Sequence, residues 1–430
     1  MAPTYKPDPR NYSIAVVGGG IGGLCTAIGL LHQAINVTIY EAASRLSELG
    51  FGVSLAPNAT RALQLIEPAM YAGFLKARTN NAWPDRQQFW FSFRAGEESM
   101  SDGQNYGKRF FDQHCETGQS SVHRANFLDE LVALVPKEIA RFGKRLVDLE
   151  DNGEDVTLRF ADGSTARHSA VIGCDGIKSV VRQFVLGKND PATYPVVSGK
   201  YAYRGLVPME EAAGVLGDEL ARNSQIYVGH GGHILTFPIQ GGKTMNAVAF
   251  GTKEDGEWRH PEWVIPMDKE AMLEDFKGWI APAQQILGLM RKGDIWALFD
   301  HPPAHTYTKG RVYLLGDAAH ASTPHNGAGA GQAVEDALIL AQVMALVYNK
   351  KDIPRALSAY DKVRRPRSQR LVKESRVTGL LYDLQAPKVE DDLEKVAASL
   401  KVNKIWLWNH DHEAEIKKVQ QVFLEESAKL

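Results

Sequence analysis

The chain has 430 residues, of which 44% are apolar and 23% charged, so a globular protein with two or three intimate domains is expected. Its 49 basic and 51 acidic residues leave a formal net charge of −2 with no long basic block, which argues against a nucleic-acid or anionic-membrane partner. Cys25, Cys115 and Cys174 suit neither a disulfide framework nor a zinc pattern, and no apolar run resembles a signal peptide or a membrane span. A soluble intracellular, cytoplasmic protein is expected.

Ser13 to Gly23, SIAVVGGGIGG, is an apolar strand that breaks into Gly18-x-Gly20-x-x-Gly23 and opens into a helix, LCTAIGLLHQ. Glycines there permit a tight turn and a close backbone approach, and the helix N-terminus offers N–H groups to a pyrophosphate. Glu41 closes the next apolar strand, INVTIYE, at the distance expected of a ribose-binding carboxylate. A loop at SELGFGVSLAP precedes a helix from about Pro57, QQFWFSFRAG alternates as a strand, and ANFLDELVALV reads as an amphipathic helix from about Asn126.

RLVDLEDNGEDVTLRFADGSTARHSAVIGCDG then gives three strands joined by Asp-Asn-Gly and Asp-Gly turns, with a further turn at Cys174-Asp175-Gly176 that places Arg182 in the following helix. Strand patterns run from Gly199 to Phe250, and a helical pattern returns over Lys269–Arg291. A last apolar strand, RVYLLGD, ends at Asp317, followed by a glycine-rich stretch and a helix over Gly331–Tyr348. Helix dominates again from about Pro354. The pattern as a whole is an α/β nucleotide-binding domain interrupted by a mostly β insertion. Two glycine-rich strand ends so far apart suggest one large cofactor gripped at both ends.

Together, GGGIGG…E, CDGIKS and GDAAHASTPHNGAGAGQ resemble the class A FAD-dependent aromatic hydroxylases of the para-hydroxybenzoate hydroxylase superfamily. Longer blocks (GQSSVHRANFLDELV, KYAYRGLVP, GGHILTFPI, WALFDH and WLWNHD) resemble the salicylate hydroxylases within it. The resemblance implies bound FAD, NADH or NADPH as a transient co-substrate, O2, and a small aromatic substrate, in a monomer or homodimer. It implies a Rossmann-like FAD-binding domain built from 10–75, 118–188 and 296–375, a mostly antiparallel substrate sheet from 76–117 and 189–295, and a C-terminal helical segment, 376–430. By motif, Gly18, Gly20 and Gly23 match the pyrophosphate turn and Glu41 the ribose carboxylate. Gly52 and Val53 match a loop near the flavin, and Arg124 a contact to the middle of the cofactor. Asp317 matches the flavin-contacting aspartate, and Ala328, Gly329, Ala330 and Gly331 the helix start below the ring. Asp175 matches a motif serving both FAD and NAD(P)H.

The reaction implied is decarboxylating hydroxylation of salicylate to catechol and carbon dioxide. The alternatives are another hydroxybenzoate, a hydroxynicotinate or a resorcinol aldehyde as substrate, or a flavin-binding protein without turnover. A base near the ring accelerates attack by making the phenol more nucleophilic. His325 in Thr323-Pro324-His325-Asn326 is the first choice for that catalytic base, since histidine titrates near neutrality, with Arg204 or His233 next in line. Arg204 is expected to hold an anionic substituent, with His233, Phe237 and Pro324 forming substrate walls. Relatives that dearomatise resorcinols carry a tyrosine at the place of Phe237, which argues against that chemistry. His320 is expected to be structural, and His410-x-His412 to lie on an exposed helix with no metal-ligand grouping. The tail Ala428-Lys429-Leu430 resembles the Ser-Lys-Leu peroxisomal signal.

Overall fold

A computed structural model of the chain describes residues 10–44, 51–103 and 107–427. The residues before Arg10, the start of the loop at Ser47–Gly50 and the Ala428-Lys429-Leu430 tail lie outside them. Ser13–Val17 is flanked in parallel by Asn36–Tyr40 and Ala170–Gly173, and Ala170–Gly173 pairs in parallel with Val312–Leu314. These strands belong to a six-stranded sheet that is mostly parallel. Their apolar side chains are buried together with those of helices Ile21–His32 and Gly329–Met344, which is why they read as unbroken apolar runs rather than alternations. Four neighbouring strands thus end at one edge of the sheet, where Gly18, Glu41, Cys174 and Leu315 follow.

The second unit is an eight-stranded sheet in which Val196–Pro208 and Thr244–Thr252 pair antiparallel over nine positions, with Gly232–Ile239 antiparallel on the far side. Gln225–Gly229 and Phe89–Ala95 run parallel within it. Side chains alternate between its faces. Tyr203, Ile234, Ala247 and Ala249 pack with helices Met209–Leu216 and Ala281–Leu289. Their neighbours Arg204, Leu235, Phe237, Asn246, Val248 and Phe250 face a cavity between the two sheets. The two expected hairpins form a separate three-stranded antiparallel sheet, with Gly153 and Gly163 supplying the positive φ angles of its turns.

Several boundaries differ from expectation. The helix read across Lys269–Arg291 is two, Lys269–Asp275 and Ala281–Leu289, because Gly278 turns with φ +82° and Pro282 restarts the chain at a new N-terminus. The helix expected from Asn126 starts at Arg124, and that expected over Gly331–Tyr348 spans Gly329–Met344. A domain boundary at 296 falls inside Gly293–Asp300, a strand hydrogen-bonded into the larger sheet on both sides. Residue 375 falls inside the 30-residue helix Ile353–Tyr382, so no break separates a C-terminal segment there. The three cysteines are free thiols. Among the described residues, no helix is long and apolar enough to cross a membrane.

The helical layers are pinned by Arg364, a fully buried side chain of the long helix. Its guanidinium donates to Asp336 and Glu335 at 2.9 and 3.0 Å, to Gln332 at 3.0 Å, and to both oxygens of Glu415 at 3.0 and 3.1 Å. Removing one member of such a network strands the others without solvent, at a cost of about 3–5 kcal/mol. Arg364→Ala is therefore expected to lower stability by roughly that amount, measured by chemical denaturation of the cofactor-loaded protein.

Candidate active site

The first strand end is shaped by contacts that only glycine tolerates. Gly18 has φ +105°, and a Cβ there would sit 2.2 Å from the carbonyl oxygen of Cys174. A Cβ on Gly23 would lie 2.0 Å from the carbonyl oxygen of Gly18, so strand and helix touch through bare backbone. The helix Ile21–His32 has Gly20 as its N-cap, with no capping side chain and no acidic residue in its first turn. Its amide groups are left open to the cavity, as an anion requires. Glu41 reaches back over this turn: one carboxylate oxygen accepts from the Gly19 amide and the other from the Ala43 amide, each at 2.7 Å.

At the other strand end, Gly316 turns with φ +61° and sends Asp317 into the cavity, where the side chain is exposed. Ala328, Gly329 and Ala330 line the same space at the uncapped start of Gly329–Met344. Gly331 does not line it; a Cβ there would lie 3.0 Å from that of Ala59, so this glycine serves helix packing. Gly52, Val53 and Arg124 line the middle. Asp175 also reaches the cavity, but its carboxylate caps the next helix, accepting from Ser179 Oγ at 2.5 Å and from the amides of Val180 and Val181 at 2.8 and 3.2 Å. Arg182, buried in that helix, donates to the carbonyl oxygens of Ala318 and Ala319 at 3.0 and 2.7 Å, which ties the Asp175 turn to the Asp317 turn.

The cavity, about 650 Å³, continues from this cradle to the large sheet. Arg204 points into it with its guanidinium 4.1 Å from the ring centre of Phe51 and 4.9 Å from that of Trp296. It has no ion pair among the described residues, and burial next to Arg124 lowers its pKa to about 10. Phe237, Leu235, Val248 and Phe250 form an apolar wall; Pro324 and His325 line the cavity too, with the His325 ring centre 5.2 Å from that of Phe250. His325 is buried, and burial holds its imidazole well below the ordinary range, so the ring is neutral at neutral pH. The ring fits because Gly379, on the long helix, has no side chain: a Cβ there would lie 2.9 Å from it.

Two expectations need correction. His233 is not a wall of the cavity: it is fully buried behind His325, with Nδ1 2.6 Å from Asp383 Oδ1. His410 and His412 do join a third possible ligand, Glu415, with donor atoms within 4.8 Å of one another. The three side chains have other partners: His410 bonds Glu415 at 2.7 Å, Nε2 of His412 bonds the Asn58 carbonyl at 2.8 Å, and Glu415 holds Arg364. The guanidinium adds positive charge where a cation would sit. His320 is paired with Asp336 at 2.6 Å, a structural contact.

The FAD binding domain family matches residues 225–375. The 6-methylsalicylate 1-monooxygenase of Aspergillus terreus is 42% identical over 96% of this chain and 93% of its own. A salicylate hydroxylase of Pseudomonas putida is 39% identical over 96% of this chain and 94% of its own. A solved salicylate hydroxylase substrate complex superposes with a TM-score of 0.85 at 36% identity, covering 95% of this chain and 98% of that one.

The chain belongs to the salicylate hydroxylase family of FAD-dependent aromatic monooxygenases. FAD is its bound cofactor, and NAD(P)H is the family's co-substrate. The residues fit this cofactor on their own geometry, since the glycine turn, the open amides beside it and the carboxylates of Glu41 and Asp317 match pyrophosphate, ribose and polyol. Asn246, Trp296, Phe51 and Gly379 were missed at the sequence level. An asparagine inside the apolar run TMNAVAFG is the one local signal among them; Asn246 Oδ1 accepts from the Gly52 amide at 3.3 Å. Asp317→Ala is expected to yield colourless or easily bleached protein, read as the ratio of flavin to protein absorbance after gel filtration. Full retention of FAD would remove Asp317 from the binding set.

Proposed function

We propose that this monooxygenase acts on an ortho-hydroxybenzoate, decarboxylating salicylate or a close analogue to a catechol and carbon dioxide. The observation that carries the reading is Arg204, a cation packed against two aromatic rings on the cavity wall with no ion pair among the described residues. A charge so placed favours an anionic substrate, and its planar fork suits a carboxylate. His325, neutral and lining the same cavity, accepts the phenol proton as the ring becomes the nucleophile. Leu235, Phe237, Val248 and Phe250 press the ring flat and keep water out. When bound, FAD supplies the electrophilic oxygen from O2 after reduction by NAD(P)H.

A second reading, a ring bearing a methyl group, rests on one feature. Ala202, Leu235, Val248, Phe250 and Leu298 form a contiguous apolar patch on the cavity wall, which suits a small alkyl substituent. Burying one methyl there contributes about 0.8 kcal/mol, enough for a severalfold preference. Assay of the yellow protein with salicylate and 6-methylsalicylate, following NADH oxidation, catechol and carbon dioxide together, tests both readings. NADH consumption without a catechol from either compound overturns them.

Arg204→Met is expected to raise KM for salicylate at least tenfold, corresponding to loss of a charged hydrogen-bond pair of about 1.5–3 kcal/mol. His325→Ala should keep FAD and still oxidise NADH, while product formed per NADH falls and coupled turnover drops about a hundredfold or more. The pH dependence has a definite sign. The folded-state pKa of His325 is depressed, so the neutral form persists as pH falls through the ordinary histidine range. Coupled turnover should therefore survive below pH 6.5, with its acid limb displaced downward.

A further inference from the structure

Behind His325 lies a buried chain of charged and titratable groups that the reaction as described does not use. His325 has no hydrogen-bond partner on either ring nitrogen among the described residues. One side of the ring faces the cavity; on the other, His233 stands with its ring centre 5.3 Å away. No N–H···N bond joins the two rings in this structure, but centres this close leave the nitrogens within reach of one on rotation of the rings. His233 is stacked on Phe250 at 4.3 Å and met edge-on by Tyr382 at 5.1 Å, which fixes its plane.

The tautomer of His233 follows from its partner. Asp383 Oδ1 lies 2.6 Å from Nδ1, and an ionised carboxylate can only accept, so Nδ1 carries the hydrogen. The Nε2 lone pair, which has no partner among the described residues, is then free to accept. Asp383 ends the helix Ile353–Tyr382 as its C-cap and is fully buried; its other oxygen takes the ammonium of Lys200 and the hydroxyl of Thr252 at 3.2 Å. A buried ion pair with two histidines beside a catalytic cavity is poor value as packing, because apolar side chains of the same volume stabilise a core as well or better.

We propose that His233 and Asp383 form a proton relay behind His325: the substrate hydroxyl gives its proton to one nitrogen of His325, the other nitrogen passes its own proton to Nε2 of His233, and Asp383 holds the resulting imidazolium while Lys200 keeps Asp383 ionised. No electrons change hands, and the proton returns along the same path. The relay rests on His325 being the group that takes the phenol proton. It also resolves a difficulty of that assignment. Burial holds His325 well below its ordinary range, and Lys200, Lys404 and any charge on His233 act in the same direction, against the Asp383 carboxylate. Burial lowers His233 too, but there the Asp383 carboxylate opposes it in direct contact, with Lys200 the other charge acting on the ring. Lys404 is turned away to Asn326 Oδ1 at 2.8 Å.

The test compares His233→Gln, Asp383→Asn and His325→Ala as FAD-loaded enzymes with salicylate. His233→Gln keeps a donor for Asp383 but cannot carry a proton, so it preserves the buried hydrogen bond while breaking the relay. It should retain FAD and keep KM within about twofold, yet lose coupled turnover at least tenfold, with the acid limb of its pH profile moved to lower pH, where His325 alone sets it. Asp383→Asn removes the group that raises the proton affinity of His233, so its acid limb should move to lower pH as coupled turnover falls. Unchanged coupling and an unchanged pH profile in His233→Gln overturn the relay, whatever the folding of Asp383→Asn. If His325→Ala alone uncouples the enzyme, the relay has failed and the base stands; if His325→Ala leaves coupling intact, the base itself was misassigned.

Discussion

Asp336 is a carboxylate without access to water, and three separate parts of the fold compete for its two oxygens. One oxygen accepts from the Gly316 amide at 3.1 Å and from His320 Nε2 at 2.6 Å, fixing both ends of the turn that aims Asp317. The other accepts from Arg364 at 2.9 Å, and through it the long helix and the C-terminal helix are fixed to the same point. The position of the turn that carries Asp317 into the cavity is therefore not a local property of its glycines. It is set by a charge network that forms only when three distant helices have docked, so cofactor site and helical core stand or fall together.

The cofactor half of the site was legible because its information is local. A strand, a glycine turn and a helix start occupy about ten consecutive residues, and each obeys short-range steric rules. Gly18, Gly20, Glu41, Asp317 and Ala328–Ala330 all line the cavity, as those local patterns suggested. Gly23 and Gly331 were recognised as needed glycines, but each is needed to let backbone or helix approach closely, away from the cavity itself. The split of Lys269–Arg291 was also written locally, in Gly278 and Pro282, and was overridden by the stronger apolar periodicity around them.

The substrate half was harder to read because its decisive contacts join residues far apart in sequence. His233 meets Asp383 across 150 positions, and His325 occupies room left by Gly379 on another helix. No periodicity encodes such pairs. A histidine within an apolar strand, as in GGHILTFPI, reads equally well as a wall or as a support; only the third dimension decides between them. The aromatic clamp on Arg204 has the same character, since Phe51 and Trp296 come from a loop and a strand that neither motif nor spacing links.

The contact between Gly52 and Phe237 has a consequence for how this cavity can change over evolution or by design. A Cβ on Gly52 would lie 2.5 Å from the Phe237 ring, so the loop beside the cofactor and the wall beside the substrate share one volume. A tyrosine replacing the phenylalanine keeps the ring where it is and leaves the glycine indispensable. A smaller wall residue would relieve the tightest contact and open space at the same step, leaving Ile239 Cγ2, 3.0 Å from the added Cβ, to yield before a side chain on the loop is tolerated. The two positions are coupled in a fixed order, wall before loop, and a substrate pocket remodelled from the loop side alone would first have to break its own cofactor seat.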